Sequence, residues 1–192
     1  MTVTVFPAAF QGRIAAVSSK SQAHRALICA ALSQTPTRLF CADTSEDIDA
    51  TVRCLVSMGA EIQYENSCFF ITPISQVRGK RSEPHRLDCG ESGSTLRFLL
   101  PIVCALGMHA TFRMSKRLSE RPLAPLEAAL SMHGVHMTRK SGMLDCSGTL
   151  KAGAFTLPGD VSSQYASGLL LALPLLQGDS HLTLVGQVES AD

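Results

Sequence analysis

Three stretches of this sequence place hydroxyls, glycine or basic side chains just ahead of an apolar run. They are Ser19-Lys20-Ser21 before residues 26–32, Ser92-Gly93-Ser94 before residues 96–106, and Ser162-Ser163-Gln164 before residues 169–176. A Ser-rich opening followed by an apolar run reads as the N-terminus of a helix. Free backbone N–H groups and the helix dipole favour negative charge at such an end. The first stretch adds Lys20 and Arg25, the second adds Arg97, and the third offers Ser162, Ser163 and Gln164. Lys20 as a point charge and Arg25 as a two-pronged fork can address one anion, with the Ser21 hydroxyl orienting it. Gly93 fits where backbone must approach a ligand closely. One such stretch alone is an ordinary capped helix, but three in register point to anion sites that converge.

Other reactive residue types carry less. Arg121, in Ser119-Glu120-Arg121-Pro122, stands just before a helix start and faces either an anion or Glu120. His24 beside Arg25 reads as a supporting or surface residue rather than a catalytic base. His133, His136 and Cys146 do not make a metal set, because the two histidines flank the helix-ending Gly134 and no second ligand pair follows. A nucleotide phosphate loop of the form Gly-x-x-x-x-Gly-Lys-Ser/Thr does not occur.

The elements that must position these residues repeat. Ser21, Ser92 and Ser163 recur at a spacing of 71 residues. A second helix, ending in Gly and followed by a strand, is expected near residues 51–59 and again at 125–134, and short strands at 37–41, 110–114 and 181–185. The unit is strand, helix, strand, helix, strand, strand, and gives an α/β fold of about three repeats, near 15–75, 76–150 and 151–192. The third stops at Asp192 before its second helix and closing strands. Another chain, or the rest of a longer protein, is expected to complete it.

The chain has 192 residues and a mass of 20.5 kDa, enough for one ordinary domain. With 17 Lys plus Arg against 16 Asp plus Glu, the net charge of +1 argues against nucleic acid or an anionic membrane as partner. Its longest apolar run, residues 169–176, is far short of the roughly 20 residues that cross a bilayer. Seven cysteines without a Cys-x-x-Cys pair, and an N-terminus without a basic segment ahead of an apolar one, read as buried thiols in a cytoplasmic protein.

Four ordered motifs together carry a resemblance. Residues 18–27 read Ser-Ser-Lys-Ser-Gln-Ala-His-Arg-Ala-Leu, and residues 88–100 read Asp-Cys-Gly-Glu-Ser-Gly-Ser-Thr-Leu-Arg-Phe-Leu-Leu. Residues 118–126 read Leu-Ser-Glu-Arg-Pro-Leu-Ala-Pro-Leu, and residues 159–170 read Gly-Asp-Val-Ser-Ser-Gln-Tyr-Ala-Ser-Gly-Leu-Leu. The chain resembles the 5-enolpyruvylshikimate-3-phosphate synthases, the 3-phosphoshikimate 1-carboxyvinyltransferases of the shikimate pathway and the targets of glyphosate. The resemblance implies transfer of the enolpyruvyl group of phosphoenolpyruvate to the 5-hydroxyl of shikimate 3-phosphate. The reaction passes through a tetrahedral addition intermediate and releases phosphate, without metal or organic cofactor. It also implies the inside-out fold of enolpyruvyl transferases, built of βαβαββ units with helices inside and sheets facing outward.

By the same resemblance, Lys20 is the catalytic residue of this half and contacts both substrates, and Ser21 and Arg25 hold shikimate 3-phosphate. Ser162 and Ser163 bind its phosphate, Ser190 is a further phosphate contact, and Gln164 lies between the two ligands. Gly93 and Arg121 bind phosphoenolpyruvate, with Arg97 a supporting charge. Family members are cytoplasmic two-domain monomers of more than twice this length, with the site between the halves and the proton-transferring groups in the other half. Residues 1–14 are then a strand of that C-terminal half, and residues 15–192 form the substrate-binding N-terminal domain. Many relatives carry Asn where this chain has Glu91, and some carry Pro in place of Phe98. The alternative is an isolated half that binds shikimate 3-phosphate without catalysis.

Overall fold

The computed structural model describes residues 2–9, 11–14, 16–74 and 83–187. The middle unit is the most complete. Strand β4 (His85–Gly90) leads into helix α3 (Gly93–Ala105), which returns through β5 (Ala110–Met114). Two helices, α4 (Lys116–Ser119) and α5 (Ala124–Ser131), precede the hairpin β6 (Val135–Lys140) and β7 (Met143–Gly148). The strands lie in the order β4-β5-β7-β6, with β4 parallel to β5 and the other neighbours antiparallel.

The outer units are portions of the same plan. The first runs α1 (Lys20–Leu32), β1 (Thr37–Phe40), α2 (Glu46–Ser57), β2 (Glu61–Glu65) and β3 (Cys68–Thr72), as an antiparallel sheet ordered β1-β3-β2. No leading strand precedes α1 among the described residues. The third runs β8 (Ala154–Pro158), α6 (Ser163–Ala172), a 3-10 turn at Leu173–Leu175 and β9 (His181–Val185), with β8 and β9 parallel as β4 and β5 are.

Local chemistry explains most boundaries. Ser19, Ser92 and Ser162 sit in extended conformation as N-caps, and their hydroxyls accept from the backbone N–H of Gln22, Thr95 and Gln164. The caps therefore stand 73 and then 70 residues apart, and Ser21 and Ser163 lie inside their helices. The second helix of the first unit begins five residues before the expected 51, because Ser45 caps it and Glu46, Asp47 and Asp49 meet the positive end of its dipole. Helix α4, with its cap Ser115, is absent from the sequence reading. Both closing hairpins turn on two residues of positive φ, Asn66 and Ser67 in one and Ser141 and Gly142 in the other.

Helices fill the middle. In α3, ten of thirteen residues are buried, so it is covered on every side. β3 and β5 alternate between buried and more exposed positions, so their sheets show one face to water. Pro101 lies inside α3 and has no N–H to give the carbonyl of Arg97 four residues earlier. Gly168 of α6 packs against that same carbonyl and close to Pro101 Cγ. This close approach joins α3 to α6, which the most extensive helix-to-helix contact in the protein then extends.

Candidate functional site

The clearest geometry in the molecule is at the start of α3. A methyl placed on Gly93 would lie 2.8 Å from Arg97 Nη1 and 3.1 Å from Arg121 Nη1, so two guanidinium groups meet over the first helical residue. Arg121 reaches there from the segment between α4 and α5, and among the described residues no ion pair joins it to Glu120. Tyr165 of α6 helps fix that segment by donating its hydroxyl to the carbonyl of Pro122 at 2.6 Å, while Arg97 lies over the Tyr165 ring.

Side-chain bonds link this end to the N-terminus of α6. Arg97 Nη1 donates to Gln164 Oε1 at 2.9 Å, and Gln164 Nε2 donates to Ser94 Oγ at 2.8 Å. Two adjoining clefts share Arg97 and Gln164. One, of about 410 Å³, is lined by Lys20, Ser45, Glu46, Asp47, Glu91, Gly93, Ser94, Arg97, Arg121 and Gln164. The other, of about 340 Å³, is lined by Arg97, Pro122, Val161, Ser162, Ser163, Gln164 and Tyr165.

The first helix contributes at the edge. Lys20 Nζ pairs with Asp47 Oδ2 at 2.9 Å, and with 59% of the lysine side chain exposed this pair exchanges cheaply for another anion. The Lys20 hydrogen bond is the main reason the Asp47 carboxyl is held below its ordinary pKa, with the Ser92 hydroxyl assisting and burial opposing. Arg25 turns elsewhere. Its guanidinium donates to the Ser21 carbonyl and to Ser167 Oγ, both at 2.9 Å, and lies over the Phe98 ring. Ser21 and Arg25 line neither of these two clefts.

Lys20, Gly93, Arg97, Arg121, Ser162, Ser163 and Gln164 are therefore gathered along one continuous groove, while Ser21 and Arg25 flank it on α1. Ser190 lies outside the described residues. The groove also holds three carboxylates that the sequence reading did not place there, Glu46, Asp47 and Glu91. The Ser45 cap with acids behind it signals a helix start but not the surface it faces. His24 corrects its surface reading: it is 2% exposed, and burial is the main cause that lowers its pKa.

The remaining candidates have structural partners. His133 stacks on Phe155 and bonds the Ala129 carbonyl, and no group of three or more His, Cys, Asp or Glu among the described residues is arranged to hold a metal ion. Cys41, Cys54, Cys89, Cys104 and Cys146 are buried, whereas Cys29 is exposed and Cys68 half-buried. No helix among the described residues is long and apolar enough to cross a membrane.

Three cations, the N-termini of four helices (α1, α2, α3 and α6) and a bridging amide, set among three carboxylates, make a groove suited to two or more anionic groups held close together. Comparison with known proteins agrees with that chemistry. The sequence is 40% identical over 190 residues to a 3-phosphoshikimate 1-carboxyvinyltransferase of Clostridium kluyveri, covering 98% of this chain and 44% of the relative. A Clostridium botulinum protein of the same description is 39% identical over 193 residues, again with 98% and 45% covered. The chain thus spans somewhat less than half the length of the relatives it matches. Its fold matches a solved EPSP synthase from Acinetobacter baumannii with a TM-score of 0.77 and 25% identity, over 95% of this chain and 42% of that one. The sequence model for EPSP synthase (3-phosphoshikimate 1-carboxyvinyltransferase) matches residues 6–191, and the chain belongs to that family.

Proposed function

We propose that the full-length protein transfers the enolpyruvyl group of phosphoenolpyruvate to the 5-hydroxyl of shikimate 3-phosphate, releasing phosphate, and that this chain supplies the N-terminal half of the site. The observation that carries this reading is the meeting of Arg97 and Arg121 over Gly93, beside Lys20 and next to the α6 N-terminus. Two phosphate esters and two carboxylates repel one another, and holding them together needs several cations and helix N-termini in one groove.

The cleft at Gly93, Arg97 and Arg121 is read as the phosphoenolpyruvate side, with Arg97 a direct contact rather than a supporting charge. Ser162 and Ser163 take the phosphate of shikimate 3-phosphate, and Ser190 adds a contact. Gln164 touches both ligands, as its position in both clefts supports. Lys20 leaves Asp47 to meet the substrates. Arg25 holds Ser21 and the start of α6, and it binds shikimate 3-phosphate by turning from Ser167. Residues 1–14 belong with the second half, which carries the proton-transferring groups, and the complete enzyme is a cytoplasmic monomer.

The test is phosphate release by the full-length protein. It should require both substrates, and its kcat/KM should fall about ten- to a hundredfold in the Arg121→Ala variant, since removing one charge-assisted fork costs about 1.5–3 kcal/mol. Release indifferent to shikimate 3-phosphate would overturn the reading. Titration of the 192-residue chain with shikimate 3-phosphate then separates a half that binds alone from one that needs its partner half.

A further inference from the structure

Behind the groove, four buried polar side chains tie three helices together, and the proton on each can be followed in turn. His24 on α1, Thr51 on α2, and Ser92 and Thr95 at the start of α3 are each at most 2% exposed. His24 Nδ1 lies 2.7 Å from Thr51 Oγ1, and Thr51 Oγ1 lies 2.7 Å from Thr95 Oγ1. Thr95 Oγ1 donates to Ser92 Oγ at 2.7 Å, with the Asp47 carbonyl at 3.3 Å as its other acceptor.

A hydroxyl has one proton to give. Thr95 spends its proton on Ser92 or on the Asp47 carbonyl, so toward Thr51 it only accepts. Thr51 must then donate to Thr95, and toward His24 it only accepts. Nδ1 of His24 therefore carries the hydrogen, and Nε2 is the bare nitrogen of the neutral ring. At the other end, Ser92 Oγ accepts from Thr95 Oγ1 and from the Thr95 N–H at 3.2 Å. Asp47 is reached through its backbone carbonyl, the second acceptor of the Thr95 hydroxyl, and the Ser92 hydroxyl helps lower the pKa of its carboxyl.

We propose that His24 is a positioning residue for the anion groove: its Nδ1–H starts a one-way hydrogen-bond chain through Thr51 and Thr95 to Ser92 and the Asp47 backbone carbonyl, and this chain sets where Asp47 holds Lys20. The chain has its direction because each member is buried and has no water to fall back on. Its surroundings keep the ring neutral. Burial, Lys20 and Arg25 oppose a second proton, and only Asp47 favours one. The consequence is a lysine whose resting position is fixed from inside the core, 27 residues away along the chain at Asp47 and through three helices.

The kinetic part of the test rests on the proposed transferase reading, and the spectroscopic part does not. In the full-length protein labelled with nitrogen-15 histidine, His24 should show a protonated Nδ1 and a bare Nε2 at neutral pH. The opposite tautomer would overturn the proposal whatever the protein catalyses. In the transferase assay, His24→Leu should raise the KM for phosphoenolpyruvate about tenfold while kcat changes less. His24→Asn places an amide N–H near the Nδ1 position and should return the KM to within about twofold. Thr51→Val should resemble His24→Leu, and Thr51→Ser should resemble the native protein. An Asn variant no better than Leu, or a folded Thr51→Val protein with native KM, would overturn the chain. If the native protein shows no transferase activity, the functional reading fails and the tautomer alone decides this proposal.

Discussion

Arg97 and Gln164 stand 67 residues apart and share a hydrogen bond of 2.9 Å, which joins the N-terminal ends of α3 and α6 directly. The same amide donates to Ser94, so Gln164 uses one lone pair and one N–H on groups of the second unit and has a second of each for a ligand. Replacing it with Leu removes an acceptor from a guanidinium and a donor from a hydroxyl, while keeping the bulk. We expect Gln164→Leu to weaken binding of both phosphoenolpyruvate and shikimate 3-phosphate by about tenfold, the effect of losing one hydrogen bond to a charged group. Calorimetric titration of the full-length protein reads both affinities. Loss of only one would place Gln164 on one ligand rather than between the two.

Gly93→Ala separates ligand binding from folding. The added methyl meets only the mobile ends of Arg97 and Arg121, at 2.8 and 3.1 Å, and those side chains can withdraw. In a helix interior Ala is favoured over Gly by about 0.5–1 kcal/mol, and at the first residue of α3 the same preference acts more weakly. The variant should therefore melt no lower than the native protein, yet bind phosphoenolpyruvate more weakly, since both cations are displaced from the cleft. A melting temperature several degrees lower, with affinity intact, would mean that the guanidinium groups are locked in place and face the ligand from elsewhere.

The three Ser-rich helix starts were legible because caps are local: a serine, its neighbours and the following apolar run suffice. Which serine caps was not, since it depends on which backbone turns extended ahead of the helix, and in α1 that is Ser19 rather than the repeat marker Ser21. Arg121 had two open readings in the sequence, and α5 with Tyr165 sends it to Gly93 rather than to Glu120. Asp47 was out of reach for a different reason. Its pairing with Lys20 joins two helices, and no local pattern encodes which faces of α1 and α2 meet. The burial of His24 has the same origin, because Thr51 and Phe98 cover it from two other helices.

Acid should weaken the fold in two steps of known sign. The folded His24 holds its proton less firmly than the ordinary value of 6.5 allows, so below pH 6.5 the unfolded chain takes up a proton that the folded one refuses. Stability then falls as pH drops from about 6.5 toward the lowered value, by at most about 1.4 kcal/mol per pH unit. Asp47 acts lower down. Its stabilisation is complete above its ordinary value of 3.8 and is lost as pH falls through its lowered folded value. Urea midpoints measured between pH 7.5 and 5 should show a shallower slope in His24→Asn than in the native protein. Equal slopes would show that His24 takes its proton as readily folded as unfolded.

Gly168 meets backbone where Gly93 meets only side-chain ends, and the outcome of adding a methyl reverses. A Cβ there would overlap the Arg97 carbonyl oxygen, with the Arg97 carbonyl carbon at 3.2 Å and Pro101 Cγ at 3.1 Å. That carbonyl lacks its usual helical donor because Pro101 occupies the position that would supply it, and the close α6 backbone takes up the space beside it. Neither helix can yield, since Leu169 and Ala172 of α6 and Phe98 to Val103 of α3 are buried. We expect Gly168→Ala to destabilise by about 1–3 kcal/mol or to part α3 from α6, against at most a fraction of that gained in helix propensity. Pro101→Ala removes the ring contact but leaves the carbonyl in place, so the double variant should recover little. Denaturant midpoints of the two single variants and the double decide it: substantial recovery would place the clash on the proline ring, and a silent Gly168→Ala would mean that the two helices approach less closely than this geometry requires.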